Sequence, residues 1–197
     1  MLFRSADALA RELPWVEVLH RPGKAGLGAA YVAGFRHALA AGAELVLEMD
    51  CDFSHDPQDV PRLIAEVERG ADLALGSRWM PGGGTVNWGH GRTSVSRGGS
   101  LYARTILGVP VRDLTGGFKC FRRGVLQTID LGAIRSKGYG FQIETTYRVI
   151  RAGFRVVEIP IVFVDRRVGE SKMDGAIVVE AMLQGPSLRW RALRGAL

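Results

Sequence analysis

Two aspartates separated by one residue, Asp50 and Asp52, directly follow an apolar run, ELVLEM, that is typical of a buried strand. In open α/β sheets, ligands bind at the carboxyl ends of the parallel strands. Two carboxylates at this spacing in an extended chain can both reach one Mg²⁺ or Mn²⁺, which in turn can hold a diphosphate. The structural alternative is that Asp52 begins a turn and Asp56 caps the next helix. Ser54 and His55 are nearby polar candidates, and His55 is interpreted as a turn residue.

A second charged group, Arg166 and Lys172 within FVDRRVGESK, follows another apolar run. Gly169 between them would let the backbone approach a ligand closely. The two cations suit phosphate oxygens, arginine through its planar fork and lysine as a point charge. A solvated charged loop is the alternative interpretation. The sequence contains neither a Walker A loop nor a complete dinucleotide fingerprint.

The third group is basic. Between positions 88 and 123 lie seven arginines or lysines and one acid, Asp113, and this net +6 equals the charge excess of the whole chain. The partner of such a group is an anion, whether phosphate, lipid headgroup or nucleic acid. Arg92 and Ser96 are four residues apart, so on a helix they share a face and can hold one phosphate. Asp113 either pairs with a neighbouring arginine or works near the reacting centre, and we favour pairing or positioning.

The segments around these groups predict alternating strands and helices. Their strands are apolar rather than alternating, which favours an α/β fold with helices on both faces of a mostly parallel sheet. Without a repeat or a low-complexity linker, residues 1–197 are expected to form one domain with a C-terminal helix at about 175–195. The other predicted helices are at 26–41, 57–67, 93–107 and 141–152, and the strands at 15–20, 44–49, 71–75, 119–121 and 154–164.

Composition excludes several classes of protein. The 197 residues are 47% hydrophobic and 23% charged, as in a globular domain rather than a disordered chain. No apolar run approaches the length of about 18 to 20 residues that a spanning helix needs, and the start lacks a signal peptide's order of segments, which predicts a cytoplasmic protein. The two cysteines, Cys51 and Cys120, are too few for a disulfide framework and lack metal-ligand spacing.

Three motifs occur in a fixed order: DCDFSHDP, GSRWMPGGGTVNWGHGRTSVS and FVDRRVGESKM. Together they resemble the family-2 glycosyltransferases that make polyprenyl-phosphate sugars, and most closely the dolichol- or polyprenol-phosphate mannose synthases. The resemblance extends from about His20 to Glu180, with further support from GKAGLGAAYVAGF, VRDLTGGFKCF and GYGFQIE. It implies a GT-A-like, Rossmann-like catalytic domain.

The resemblance also implies roles for particular residues. Asp50 and Asp52 would bind Mg²⁺ or Mn²⁺ and the donor diphosphate, with Ser54 as a further metal ligand, and Asp113 is counted with the two aspartates in the catalytic site. Residues 82–91 match a mobile acceptor loop. The remaining implied contacts are from Arg166 and Lys172 to the donor phosphates, and from Arg78, Arg92 and Ser96 to the acceptor phosphate.

The implied reaction moves mannose from GDP-mannose to a polyprenyl (dolichyl) phosphate, with inversion at the anomeric carbon. A phosphate monoester is largely ionised near pH 7, so this nucleophile needs no strong general base. Because the acceptor is a membrane lipid, we expect a peripheral protein at the cytoplasmic face of the membrane. Trp190 and the late arginines of the C-terminal helix suit an anionic interface, although the helix could instead dock on the sheet. A membrane-anchoring partner protein is the other route to the membrane.

Other functions stay open. Members of the family begin with a PTYNE-like motif and a DDGS-DGT segment for the nucleobase, and this chain has neither. The resemblance therefore predicts a start assigned too late or a truncated gene, and an inactive fragment with a binding or regulatory role is one alternative. Within the enzyme class, the alternative is a polyprenyl-phosphate glucosyltransferase that uses a UDP-sugar. Nucleic-acid binding is disfavoured because the chain contains none of its known motifs.

Overall fold

The computed structural model describes residues 2–136, 138, 140–165, 175–195 and 197. Most predicted elements occur within one or two residues of their expected bounds. The helices are α1 (Leu2–Glu12), α2 (Leu27–Ala40), a 3₁₀ turn (Pro57–Asp59), α3 (Val60–Glu68), α4 (His90–Leu107), α5 (Arg123–Thr128), α6 (Gly140–Arg151) and α7 (Gly175–Leu193), and the strands are β1 (Leu45–Glu48), β2 (Leu73–Ser77), β3 (Gly84–Val86), β4 (Lys119–Arg122), β5 (Val156–Pro160) and β6 (Val162–Val164).

The main sheet has the strand order β1-β4-β2-β5. Strand β4 runs antiparallel to both neighbours, with Phe121 opposite Val46 of β1 and Cys120 opposite Ala74 of β2. Strands β2 and β5 are parallel, so β1, β2 and β5 point the same way and β4 points against them. The predicted α/β class is therefore confirmed. The sheet is mixed rather than mostly parallel, because β4 lies antiparallel between β1 and β2. The short apolar run of β4 did not indicate the direction of this strand.

Helices cover both faces of this sheet, as predicted. Successive residues of a strand point to opposite faces. On what we call the first face, Leu73 accordingly packs with Phe35 and Phe141, from α2 and α6. On the second face, Ala74 packs with Leu63 of α3. Further along the first face, α4, α6 and α7 share a cluster that includes Leu75, Ala103, Tyr147 and Leu188. The carboxyl ends of β1 and β2 emerge between these two layers.

The strand predicted at 15–20 is wrong. Trp15 is 77% exposed and, among the described residues, no strand pairs with this segment. A β-branched run indicates only that a segment suits a half-buried, pleated surface. The segment forms a strand only if the edge of another strand is available to pair with it. Its polar side chains bond to helices instead: Glu17 to His37 at 2.6 Å, and His20 to Asp7 at 2.8 Å.

The predicted strand at 154–164 is two strands. Gly76 approaches the side chain of Ile161 so closely that an added Cβ would lie 2.9 Å from its Cδ1. The chain turns away from β2 at this point, and β6 pairs in parallel with β3 to form a second, two-stranded sheet. This break places β6 beside the loop that follows β3.

Helix α7 packs by one face against α4. Leu188 is buried, Arg189 Nη1 donates to the carbonyl of Ile106 at 2.6 Å, and Gly185 lies against Tyr102. Trp190 on the same helix is 54% exposed, with the guanidinium of Arg194 3.7 Å above its ring. Within the described ranges, no helix is long and apolar enough to cross a membrane.

Two glycines of α2 provide a matched test of this packing. A Cβ added at the buried Gly28 would collide with the carbonyl oxygen of Ser136 and lie 3.0 Å from Phe141, whereas one added at the exposed Gly34 would meet nothing within 4 Å. We expect Gly28→Ala to lower the free energy of unfolding by about 1–3 kcal/mol through overpacking. Gly34→Ala should raise it by up to about 1 kcal/mol. Urea denaturation measures both, and equal effects of the two substitutions would contradict the packing of α2 on residue 136.

Candidate active site

The loop that follows β1, residues 50–56, is named the acid loop. Asp52 Oδ1 accepts hydrogen bonds from the backbone N–H and the hydroxyl of Ser54, and Asp56 Oδ1 accepts from the backbone N–H of Gln58 at 2.9 Å. The turn and cap predicted as the structural alternative are therefore both present. Phe53 has a φ of 64°, which is uncommon for an aromatic residue. The bonds between Asp52 and Ser54 span this residue and hold the loop in its shape.

Asp50 is held from the first face of the sheet by Tyr31 of α2. The Tyr31 hydroxyl donates to Asp50 Oδ1 at 3.4 Å, and the Tyr31 ring stacks on Phe141 at 5.3 Å between centroids. Burial and the nearby carboxylates raise the pKa of Tyr31, so its hydroxyl remains a donor. The sequence offered no signal for this contact, because it joins residues nineteen positions apart.

A buried ion pair lies beneath the acid loop. Glu48, the last residue of β1, faces Lys119 of β4 with 3.4 Å between Oε1 and Nζ. Lys119 Nζ also donates to the backbone carbonyl of Gln142 at 3.2 Å. Burial raises the pKa of Glu48 to about 7 against the opposing charge of Lys119, and burial lowers the pKa of Lys119. Sequence reasoning missed this pair, although a lysine inside the apolar run FKCF was a signal for it.

His55 supports the acid loop from the second face of the sheet. The residue is 3% exposed, and its Nδ1 accepts a hydrogen bond from the backbone N–H of Asp50 at 3.2 Å. Burial, helped by the charge of Arg78, lowers the pKa of His55 to about 4. The imidazole is therefore neutral at physiological pH, with its proton on Nε2. The sequence predicted a turn residue here, whereas the structure shows a buried hydrogen-bond acceptor.

Arg78, the first residue after β2, forms a two-pronged ion pair with Asp113. The Nε–Oδ2 distance is 2.7 Å, the Nη2–Oδ1 distance is 2.8 Å, and the backbone N–H of Arg78 also donates to Oδ2 at 3.0 Å. Burial alone would raise the pKa of Asp113, but the charge and hydrogen bonds of Arg78 outweigh it and lower the pKa. Of the two roles open to Asp113, pairing with an arginine is the one that the structure shows.

Arg92, in the first turn of α4, lies close to Arg78. Its Nη1 is 2.7 Å from Asp165 Oδ1, and its guanidinium lies 4.0 Å from the ring centroid of Trp88. The guanidinium of Arg78 is 5.5 Å from the same centroid, so the two arginines approach one indole ring. Ser96, one helical turn after Arg92, is buried. The structure thus gathers the cations that the sequence assigned to the acceptor phosphate.

Strand β6 joins the acid loop to the arginines. The backbone N–H of Val164 donates to the carbonyl of Ser54 at 3.1 Å, and the N–H of Asp165 donates to the carbonyl of Val86 at 3.0 Å. The predicted acceptor loop, residues 82–91, contains β3, which pairs with β6. The acids and the arginines therefore lie at the same end of the sheet, beyond the carboxyl ends of β1 and β2. Arg166 and Lys172, predicted to contact the donor phosphates, lie outside the described residues.

The acid loop suits a hard divalent cation. Asp50, Asp52 and Ser54 offer only oxygen donors, which are the ligands that Mg²⁺ and Mn²⁺ prefer. In the described part of the chain, no three or more histidine, cysteine, aspartate or glutamate side chains gather as a metal site. A cation held by one or two carboxylates and completed by substrate phosphates needs no such cluster.

Comparisons with known proteins identify the family of the chain. Residues 4–130 match the sequence model of the family described as "Glycosyl transferase family 2". The chain is 51% identical over 196 residues to the undecaprenyl-phosphate mannosyltransferase of Micrococcus luteus, covering 98% of this chain and 80% of that protein. It is 50% identical over 180 residues to the polyprenol monophosphomannose synthase of Mycolicibacterium smegmatis, covering 91% of this chain and 68% of that protein.

Solved structures support the fold. Glucosyl-3-phosphoglycerate synthase of Mycobacterium tuberculosis, in complex with Mn²⁺, UDP-glucose and glycerol 3-phosphate, superposes with a TM-score of 0.56 at 21% identity, covering 91% of this chain and 60% of that one. The same enzyme with Mg²⁺ and UDP gives a TM-score of 0.59 at 22% identity, with coverage of 91% and 59%. The chain thus spans about 60% of the length of these structures, and the likeness confirms the predicted GT-A-like fold.

The family description matches more than half of the chain, and both relatives are about half identical to it over most of their length. The family and these relatives confirm the prediction that the protein is a hexosyltransferase. The chain belongs to glycosyl transferase family 2.

Proposed function

We propose that the protein transfers mannose from GDP-mannose to a polyprenyl phosphate and forms polyprenyl-phosphate mannose with inversion at the anomeric carbon. The observation that carries the proposal is the approach of the acid loop, through His55 and β6, to the arginine pair Arg78 and Arg92. One end of this arrangement suits a nucleoside diphosphate with a divalent cation, and the other suits a phosphate monoester. The names of the two relatives supply the sugar and the polyprenyl acceptor.

We assign the acceptor phosphate to Arg78, Arg92 and Ser96. Asp113 binds the Nε and Nη2 atoms of Arg78, so the guanidinium is fixed before any ligand arrives, and we assign its Nη1 end to the phosphate. Arg92 is held by a cation–π contact with Trp88 and by its ion pair with Asp165. Such preorganised donors lose little entropy on binding an anion. Asp113 therefore acts as a positioning residue in this proposal rather than as a base.

We assign the donor diphosphate to the acid loop. Asp50, Asp52 and Ser54 would hold Mg²⁺ or Mn²⁺, and Arg166 and Lys172 would contact the donor phosphates. A cation held there supplies charge neutralisation to the nucleoside diphosphate. The similar fold of a glycosyltransferase solved with Mn²⁺, and also with Mg²⁺, supports this choice of ions.

The proposed reaction requires little proton transfer by side chains of the protein. An oxygen of the acceptor phosphate forms the new bond to the anomeric carbon as the bond from that carbon to GDP breaks on the opposite face, which inverts the configuration. The acceptor phosphate is already ionised near neutral pH, so no side chain must remove a proton. The residues contribute by holding the two phosphate groups in line, and correct alignment alone can account for a large part of the acceleration.

We further propose that the protein works at the cytoplasmic face of the membrane, where its lipid acceptor is found. Helix α7 presents Trp190, together with Arg194 stacked on its ring and the exposed Leu193. An exposed tryptophan with adjacent arginines suits the interface of an anionic bilayer. A membrane-anchoring partner protein would serve the same purpose.

Asp52→Asn tests the donor assignment. The substitution keeps the size of the side chain and its ability to accept a hydrogen bond from Ser54, but removes the charge that a divalent cation needs. We expect mannose transfer to radiolabelled lipid to fall at least about 100-fold, as when one key electrostatic group is lost elsewhere. The control is Asp130→Asn, because Asp130 is exposed and lies outside the acid loop, and asparagine can also accept from the backbone N–H groups of Gly132 and Ala133.

Parallel assays with GDP-mannose and UDP-glucose identify the donor, and preferential use of UDP-glucose would contradict GDP-mannose. Full transfer by Asp52→Asn would remove the acid loop from the donor site.

Arg78→Lys tests the acceptor assignment. Lysine keeps the positive charge but cannot form the two-pronged bond with Asp113, so the cation loses its fixed direction. We expect kcat/KM for polyprenyl phosphate to fall about 10- to 100-fold, in the range seen when a supporting group is lost. The control is Arg69→Lys, an exposed residue that pairs only locally with Glu66 on α3. Equal kcat/KM in both variants would refute the role of Arg78.

A further inference from the structure

The ring of His55 is fixed by aromatic side chains on two sides. It stacks on Phe118 with 4.8 Å between centroids and an interplanar angle of 23°, and it meets Phe163 edge-on at 5.2 Å and 83°. Phe118 directly precedes β4 of the main sheet, and Phe163 belongs to β6 of the small sheet. A buried ring held in this way cannot move without displacing one sheet against the other.

The hydrogen bond of His55 to the backbone N–H of Asp50 holds the entrance to the acid loop. This N–H lies two residues after the end of β1, beyond the ladder that pairs Glu48 with Lys119. Beyond the last pair of the β1–β4 ladder, the backbone at Asp50 is therefore held by His55 Nδ1. The imidazole accepts this bond through Nδ1, and the residue is 3% exposed, so the bond is shielded from water.

The opposite side of the His55 ring leads to the arginines. Phe163 meets Trp88 edge-on at 5.3 Å and 73°, so His55, Phe163 and Trp88 form a continuous aromatic row. The guanidinium of Arg78 lies 5.6 Å from Phe163 and 5.5 Å from Trp88, and that of Arg92 lies 4.0 Å from Trp88. Aromatic rings at these distances attract cations through their negative faces and so help to hold the two guanidinium groups in position.

We propose that His55 is a positioning residue that sets the separation between the acid loop and the arginine pair, through its hydrogen bond to Asp50 at one end and its contact with Phe163 at the other. The inference rests on the proposed function, because it concerns how the two substrates of one transfer reaction are brought into line. It assigns His55 no contact with either substrate.

Two substitutions separate the two contacts. His55→Phe keeps a ring between Phe118 and Phe163 but has no atom that accepts from the Asp50 N–H. His55→Asn places an oxygen near the position of Nδ1 but removes most of the ring. The matched control is His37→Phe, a histidine of α2 that bonds only to Glu17 on the surface. The full chain is used for all variants, and thermal unfolding is recorded for each.

Three measurements report on the two contacts of His55, with Asp50 of the acid loop and with Phe163 beside the arginine pair. Hydrogen exchange of the Asp50 amide, followed by NMR in the metal-free chain, reports directly on the bond. Mn²⁺ affinity in the presence of GDP, from water proton relaxation, reports on the acid loop. The KM for undecaprenyl phosphate in detergent, measured separately from kcat, reports on the arginine end.

We expect His55→Phe to speed exchange of the Asp50 amide and to weaken Mn²⁺ binding about 10-fold or more, as is usual for lost supporting bonds at metal sites, while the acceptor KM changes little. His55→Asn should show the reverse pattern, with near-normal exchange and Mn²⁺ affinity and an acceptor KM raised about 10-fold. His37→Phe should match the wild type in all three measurements.

Two results would overturn the inference. One is unchanged exchange, Mn²⁺ affinity and KM in both His55 variants. The other is a loss of all three in both variants in proportion to the fall in melting temperature, which would show that His55 only packs the core. Failure of the proposed function is distinct: a wild-type chain that transfers no mannose would refute that function, whereas exchange at Asp50 would still decide the role of His55.

Discussion

The ion pair between Arg78 and Asp113 is the interaction on which the geometry of the site depends. Both side chains are buried, and moving charges out of water is costly unless they are paired and fully hydrogen-bonded. Asp113 meets that condition, since it accepts from three nitrogens of Arg78 and from the hydroxyl of Thr115. Glu158 of β5 in turn accepts from the backbone N–H groups of Arg112 and Asp113. The end of β2 and the segment before β4 are thereby locked together around one guanidinium.

A second buried pair solves a different problem, which is the accumulation of negative charge at the end of β1. Glu48 and Asp50 are two residues apart and so point to the same face of the sheet. Lys119, fully buried on the adjacent strand, offsets the charge of Glu48 and bonds to Gln142 of α6. Burial raises the pKa of Glu48, and the charge of Lys119 opposes this shift. His55 lies on the other face and supports Asp50 from there through its hydrogen bond to the backbone N–H.

The sequence predicted the parts of the site that depend on local spacing. Asp50 and Asp52 follow a strand, Arg92 and Ser96 share a helix face, and Asp113 was recognised as the one acid amid basic residues. It did not predict contacts that depend on which strands become neighbours. Lys119 faces Glu48 only because β4 enters the sheet antiparallel beside β1, and His55 meets Phe163 only because the chain breaks at Ile161 and β6 leaves the main sheet. Residues 15–20 failed as a strand for the same reason, since pairing is decided by distant segments.

The proposed function requires that a divalent cation at the acid loop and the phosphate of the acceptor lipid occupy one pocket. The most direct test is the ³¹P NMR signal of a polyprenyl phosphate bound to the protein in detergent, recorded with Mn²⁺ and with diamagnetic Mg²⁺ at matched saturation. We expect Mn²⁺, and not Mg²⁺, to broaden the phosphate resonance strongly, because the unpaired electrons of Mn²⁺ would lie close to the phosphorus. A linewidth that stays the same with both ions, while lipid and metal remain bound, would place the two ligands apart and refute a shared pocket.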